Sequence, residues 1–268
     1  MNGFERFFFE ANDLAHFVYR TGERRDRPLL VLPEIAGLSP GLLLFIERLV
    51  KAHYQVYVPQ LFGRFGERAP ARNALRLCIS REFANLRAGI SAPVTKWLRS
   101  LAKHVSEENQ GTLVGAIGMC LTGAFVIPLV IDPKVVAAVA AQPSVPLSPM
   151  YIVFGMGGAR RRAALNIAEQ DIADARARLQ SGAAHILALR CQADRICPHD
   201  KIERLRREFP VGLQVREYGA PEDRNFLGER PHATFTKEYR LDPNASPEHH
   251  AQRAFADMIA FFDQHLAS

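Results

Sequence analysis

The stretch Leu113-Val-Gly-Ala-Ile-Gly-Met-Cys120-Leu-Thr-Gly123-Ala-Phe-Val-Ile constrains this chain more than any other. Apolar residues from Leu113 to Ile117 predict a buried strand, and Ala124 onward predicts the start of an apolar helix. Between them, Gly118 and Gly123 flank Met119, Cys120, Leu121 and Thr122. A strand, a sharp glycine-bounded turn with a nucleophile-type residue at its apex, and then a helix form the layout of a nucleophile elbow. The turn is strained, and the residues two before and two after its apex face each other closely, which favours glycine there. Those positions are Gly118 and Thr122, with Gly123 one step further, so the G-x-S-x-G form with cysteine for serine is met in part. Cysteine suits the apex because a helix N-terminus favours a thiolate. Taken alone, the stretch reads equally well as a core cysteine ahead of a helix.

The rest of the chain decides between these readings. With 268 residues, 48% of them hydrophobic, it can bury one large core. No linker, repeat or low-complexity tract divides it, so one domain over 1–268 is expected. No apolar run reaches the ~18 residues of a membrane span. The N-terminus, with Glu5, Glu10 and Asp13, lacks the order of a signal peptide. The four cysteines, Cys78, Cys120, Cys191 and Cys197, show no C-x-x-C pairing, so neither disulfides nor a bound metal are expected, and the cytoplasm is the expected location. The net charge of +6 is spread, with runs at Arg24-Arg25 and Arg160-Arg161-Arg162. That pattern reads as a solvated basic surface, with no nucleic-acid and no membrane partner.

In chain order, Arg6 to Glu10 and Ala15 to Arg20 predict a hairpin turned at Asn12-Asp13. Leu29 to Leu32 is an aliphatic run that ends in Pro33-Glu34-Ile35-Ala36-Gly37, as a parallel strand does on reaching a functional loop. Gly41 to His53 follows as a helix, and Tyr54 to Val58 as a strand stopped by Pro59. Residues 63–82 carry no legible pattern. Val94 to His104 predicts a helix with Trp97, Leu98 and Leu101 inward. Val135 to Ala141 predicts a strand, and a flap over the site is expected at about 143–165. The remaining expectations are a helix over Asn166 to Gln180, a strand over His185 to Leu189 and a helix over Asp200 to Glu208. A strand over Gly212 to Tyr218 and a helix over Glu248 to Leu266 complete the chain. Alternating strands and helices argue for an α/β sheet.

A nucleophile needs a base to take its proton and an acid to orient that base. On a sheet with such an elbow, the acid follows a later strand and the histidine follows the last one. The strand His185 to Leu189 leads to Asp194 in a loop closed by Pro198. The strand ending at Tyr218 leads into the loop with Pro231-His232-Ala233-Thr234-Phe235. His249 and His250 precede a helix and are poorer candidates.

With these pieces in place, the chain resembles the dienelactone hydrolase family of α/β-hydrolases. The matching segments are Leu32-Pro-Glu34-Ile35-Ala-Gly37, Val58-Pro-Gln-Leu-Phe-Gly63, Gly118-Met-Cys120-Leu-Thr-Gly123, Asp194 with Pro198, and His232. The resemblance implies a mostly parallel central sheet with helices on both faces. It assigns Cys120 as nucleophile, Asp194 as orienting acid and His232 as base. The backbone N–H groups of Ile35 and Leu121 would form the oxyanion hole, and Glu34 would sit near the thiol. The arginine that the family's type member has four residues past the histidine is Thr236 here, and its serine one residue past is Ala233. Arg81 and Arg195, with Arg230 and Lys237 behind them, are then the candidates to hold a substrate carboxylate. The resemblance implies cleavage of a small carboxylic ester or lactone, as a carboxymethylenebutenolidase does, through a thioester, with no cofactor and with a monomer or homodimer as the unit. Two other readings stand beside it: a thioesterase or broad carboxylesterase, and a catalytically idle binding or interaction protein of the same fold.

Overall fold

The computed structural model describes residues 3–24, 27–67, 73, 91–144, 158, 162–225, 227–239 and 249–266. Its strands are β1 (Glu5–Ala11), β2 (Leu14–Thr21), β3 (Arg27–Leu32), β4 (Tyr54–Pro59), β5 (Val114–Met119), β6 (Val135–Ala141), β7 (His185–Cys191) and β8 (Leu213–Tyr218). Its helices are α1 (Pro40–Lys51), α2 (Pro93–Glu108), α3 (Val126–Leu129), α4 (Glu169–Gln180), α5 (His199–Glu208) and α6 (His250–His265). The strands form one sheet in the order β1-β2-β4-β3-β5-β6-β7-β8. β1 and β2 pair antiparallel, β2 meets β4 antiparallel, and every later pairing is parallel.

Each strand buries alternate side chains on opposite faces, and helices cover both. On one face, Leu30, Leu32, Ala116, Ala138, Ala140 and Ile186 pack under Trp97, Leu98 and Leu101 of α2 and under Ile202 and Leu205 of α5. On the other, Leu29, Val31, Ile117, Val139 and Leu187 pack under Phe45 of α1 and Met258 and Phe262 of α6. β3, β5, β6 and β7 therefore run side by side through the centre of the core, and their carboxyl ends open together at one edge.

The expected strands and helices are present, with corrections of extent. Leu113 lies outside β5 and is 41% exposed. The apolar helix expected from Ala124 is a 3-10 turn, Cys120–Ala124, followed by the single turn of α3. Asp132-Pro133 stops it, because the ring of a proline disfavours helical backbone at the residue before. α4 begins at Glu169 rather than Asn166, whose φ of 60° takes it out of the helix. α6 begins at His250, with the His249 side chain accepting the Ala251 N–H at 3.3 Å. Most of the expected flap, residues 145–157 and 159–161, lies outside the described residues, as do Arg81 and Cys78.

Three histidines of the fold are held neutral. Burial, with His249 alongside, outweighs Asp223 and pulls His250 from 6.5 down to about 4, although the Glu238 carboxyl lies 4.0 Å from its Nε2. His185 and His265 stack at 3.9 Å, and each is lowered first by burial. The unfolded chain takes up these protons near pH 6.5 whereas the folded one resists them, so their contribution is complete above about pH 6.5 and lost as pH falls. His250→Gln should therefore lose less melting temperature than the wild type between about pH 7 and about pH 5. Equal losses in thermal melts would contradict the burial of an uncharged His250.

Candidate active site

The elbow forms where β5 ends. Cys120 takes a φ of 57°, in the left-handed region that costs a residue with a side chain of order 1 kcal/mol. Its surroundings hold it there. The Thr122 hydroxyl donates to the Leu32 carbonyl at 3.1 Å, tying the turn to the end of β3, and accepts the Met119 N–H at 3.0 Å. The Ser144 N–H donates to the Cys120 carbonyl at 2.9 Å from the segment after β6. Gly118 is required by close approach, since a Cβ there would stand 2.2 Å from the Thr122 carbonyl oxygen. Gly123 has the second tight position, where a Cβ would lie 3.0 Å from Pro143 Cα. Cys120 is 5% exposed.

The register of β3 against β5 carries the early loop to the same place. Leu32 pairs with Gly118, so Glu34 and Cys120 both lie two residues beyond that rung, and Ile35 and Leu121 both lie three beyond it. The loop is shaped by the Gly37 N–H donating to the Glu34 carbonyl at 2.8 Å and by the Asn73 amide donating to the Ile35 carbonyl at 2.8 Å. Glu34 is buried and accepts from the Thr236 hydroxyl. The hydroxyl that holds this carboxyl thus comes from four residues past His232.

The acid and the histidine converge from β7 and β8. Asp194 is buried, and its Oδ1 accepts the N–H groups of Ile196 at 2.8 Å and Cys197 at 3.0 Å. Its Oδ2 is thereby aimed at His232, whose Nδ1 lies 2.6 Å away. The histidine segment is anchored by the π-helical turn Thr234–Glu238, where Phe235 stacks on Phe45 of α1 at 4.8 Å. The buried Glu238 carboxyl accepts the His232 backbone N–H and the Asn225 amide. Burial alone would lower the His232 pKa, but Asp194 on one side and Cys120 on the other outweigh it and raise the ring well above the ordinary histidine range. The ring's Nε2 is buried and has no hydrogen-bond partner at ideal geometry among the described residues, although Cys120 is near enough to bond it and act on its charge. A ring placed between that carboxylate and that sulfur favours its protonated form.

The other cysteines are set apart. Burial, with Asp194 and Glu238 adding, pushes Cys191 up to about 12, and burial with Asp194 alongside takes Cys197 well above the usual thiol range. Three of the candidate cations lie among the described residues. Lys237 pairs with Glu229, Arg230 donates to the Ala193 and Pro221 carbonyls, and Arg195 is exposed on the acid loop. Among the described residues no cluster of His, Cys, Asp and Glu could hold a metal ion, and no helix is long and apolar enough to cross a membrane.

Sequence reasoning missed Asn73, Glu238 and Lys201. Lys201 is wholly buried beside the elbow, and one signal was available: it is adjacent to Ile202 and four residues before Leu205 on the inner face of α5. Asn73 sits in the stretch without legible pattern.

Comparison with known proteins agrees with this architecture. No curated protein sequence matches the chain. Among solved structures, it is similar to a dienelactone hydrolase-like promiscuous phosphotriesterase from metagenomic libraries (TM-score 0.64, 13% identity, 98% of each chain covered). It is also similar to a dienelactone hydrolase from Anabaena variabilis ATCC 29413 (TM-score 0.61, 11% identity, 99% of this chain and 100% of that one). A Pyrococcus furiosus esterase is a further neighbour (TM-score 0.59, 12% identity, 98% of this chain and 93% of that one). At these identities the likeness is one of fold. A sequence model of the dienelactone hydrolase family matches residues 15–266, and with nearly the whole chain inside that match, the protein belongs to the dienelactone hydrolase family.

Proposed function

We propose that this chain hydrolyses a carboxylic ester or lactone by covalent catalysis at Cys120. The observation that carries the proposal is the Asp194–His232 bond at 2.6 Å beside a cysteine held at a φ of 57° on the apex of the elbow. His232 takes the thiol proton through Nε2, and the sulfur attacks the carbonyl carbon. The tetrahedral oxyanion is held by the Ile35 and Leu121 N–H groups, each worth about 3 kcal/mol in a water-poor site. Collapse of this intermediate breaks the C–O bond, and His232 returns the proton to the leaving oxygen. Water, deprotonated by the same ring, then attacks the thioester and releases the acid with the cysteine restored. Asp194 keeps the ring in register and stabilises its charged form in both halves.

Thr236 supports a second reading of the substrate. With Thr236 bound to Glu34 in place of a guanidinium, a neutral acyl ester or thioester fits this site better than an anionic dienelactone. A charge-assisted bond to a substrate carboxylate is worth about 1.5–3 kcal/mol, so its loss costs an anionic substrate roughly ten- to a hundredfold. The test is a panel of one dienelactone, short and long p-nitrophenyl esters and an acyl thioester. The neutral members should exceed the dienelactone in kcat/KM by about tenfold or more. A dienelactone preferred above all of them would restore carboxymethylenebutenolidase activity as the better assignment.

A further inference from the structure

Lys201 is the buried charged group that this chemistry leaves unused. It follows the acid loop on α5, has no exposed surface, and donates through Nζ to the Ser144 carbonyl. The N–H of the same Ser144 donates to the Cys120 carbonyl at 2.9 Å. One residue of backbone therefore joins the ammonium to the apex of the elbow. Removing an ammonium from water without a carboxylate partner is costly, and among the described residues Lys201 forms no ion pair with one. The titratable groups that act on it are Cys197 on the acid loop and Cys120 on the elbow, and Cys197 is acted on in turn by Asp194 and by Arg190 of β7. Asp194 is engaged by His232, and Arg190 pairs with Glu217 at 2.8 Å. Cys197 is fully buried and strongly resists ionisation. Cys120 is the remaining group, and its sulfur carries negative charge when it attacks and again when the thioester breaks.

We infer that Lys201 is a positioning residue for the nucleophile, holding the Gln142-Pro143-Ser144 segment against the Cys120 backbone and supplying a fixed positive charge near its sulfur. The inference rests on the reading of Cys120 as nucleophile and adds a second cation to the one His232 provides. Burial draws the Lys201 pKa down to about 8, with Cys197 and Cys120 opposing the fall, so most of this charge is present at neutral pH and it fades as the solution becomes basic.

The test follows the alkylation of Cys120 by iodoacetamide across roughly pH 6 to 10, resolved from the other cysteines by peptide mass spectrometry. In Lys201→Met, alkylation at about pH 7, taken as a fraction of each protein's own high-pH plateau, should fall about tenfold below the wild type, because an opposite charge nearby favours the thiolate. Its kcat should fall with little change in KM. A variant that melts in one transition and keeps the wild-type alkylation profile would overturn the inference. Should Lys201→Met fail to fold, Lys201→Gln, which keeps a donor for the Ser144 carbonyl, decides: its Cys120 profile should lie at higher pH than that of the wild type, and an unshifted profile would overturn the inference. Cys120→Ala, measured alongside, separates the two readings. Retained turnover there removes Cys120 as nucleophile, whereas lost turnover with an unchanged Lys201→Met profile removes only the role of Lys201.

Discussion

Replacing Cys120 by alanine is expected to lower kcat/KM for the best ester of the panel by about 10⁴-fold or more, some 5 kcal/mol of transition-state stabilisation. The size follows from what is removed. Without sulfur there is no thioester, and the remaining machinery, two backbone N–H groups and a histidine, can only assist a direct attack by water. The fold should persist. The substitution deletes one heavy atom at a site that is 5% exposed, a loss of about 1 kcal/mol. The bonds that hold the residue, from Ser144 N–H to its carbonyl and from Thr122 to Leu32, do not involve its side chain. Initial rates and a thermal melt check both halves. Activity within about tenfold of the wild type would rule out the covalent mechanism.

Gly118→Ala should produce the largest loss among conservative changes, for a reason of packing rather than chemistry. The added methyl would meet the Thr122 carbonyl oxygen at 2.2 Å, its carbon at 2.7 Å and Val126 Cγ1 at 2.8 Å. Two of these are backbone atoms on the far side of the elbow, so they cannot rotate away. The turn must open, at about 3 kcal/mol or more, which in a chain of this size lowers the melting temperature by about 6 °C or more. Opening the turn also moves Cys120 relative to His232 and the N–H groups of Ile35 and Leu121. A displacement near 1 Å costs about 10²-fold in rate. Calorimetry and kcat should both register the change. A variant with wild-type stability and rate would mean that the elbow is looser than its contacts imply.

What the sequence disclosed depended on whether the cause was local. The hairpin was legible because Asn12 and Asp13 tolerate the left-handed backbone it needs, and they adopt φ of 50° and 60°. β3, β4 and β6 were legible as short aliphatic runs with stop signals. The helix after Cys120 was read too long, because an apolar run carries no information about the chain reversal enforced at Asp132-Pro133. That Cys120, Asp194 and His232 come together was legible from their order along the strands, which fixes which loops share an edge of the sheet. The partners that set their geometry were not. Thr236 meets Glu34 across a separation of 202 residues, and Lys201 reaches Ser144 across 57. Those contacts exist only once β3, β6 and β8 bring their carboxyl ends together. Lys201 is the clearest case: in a helix reading His-Asp-Lys-Ile-Glu-Arg-Leu-Arg-Arg-Glu, one lysine among so many charges looks solvated, and only the packing of Ile202 and Leu205 turns it inward.

The most direct test of covalent catalysis at Cys120 is to trap the intermediate. Wild-type protein is mixed with an excess of a p-nitrophenyl ester, quenched in acid within the first turnovers, digested and analysed by mass spectrometry. An acyl group should be found in thioester linkage on Cys120, and it should be absent from Cys191, Cys197 and the Cys120→Ala variant. Turnover with no acyl group on Cys120, or with the acyl group on another residue, would contradict the mechanism.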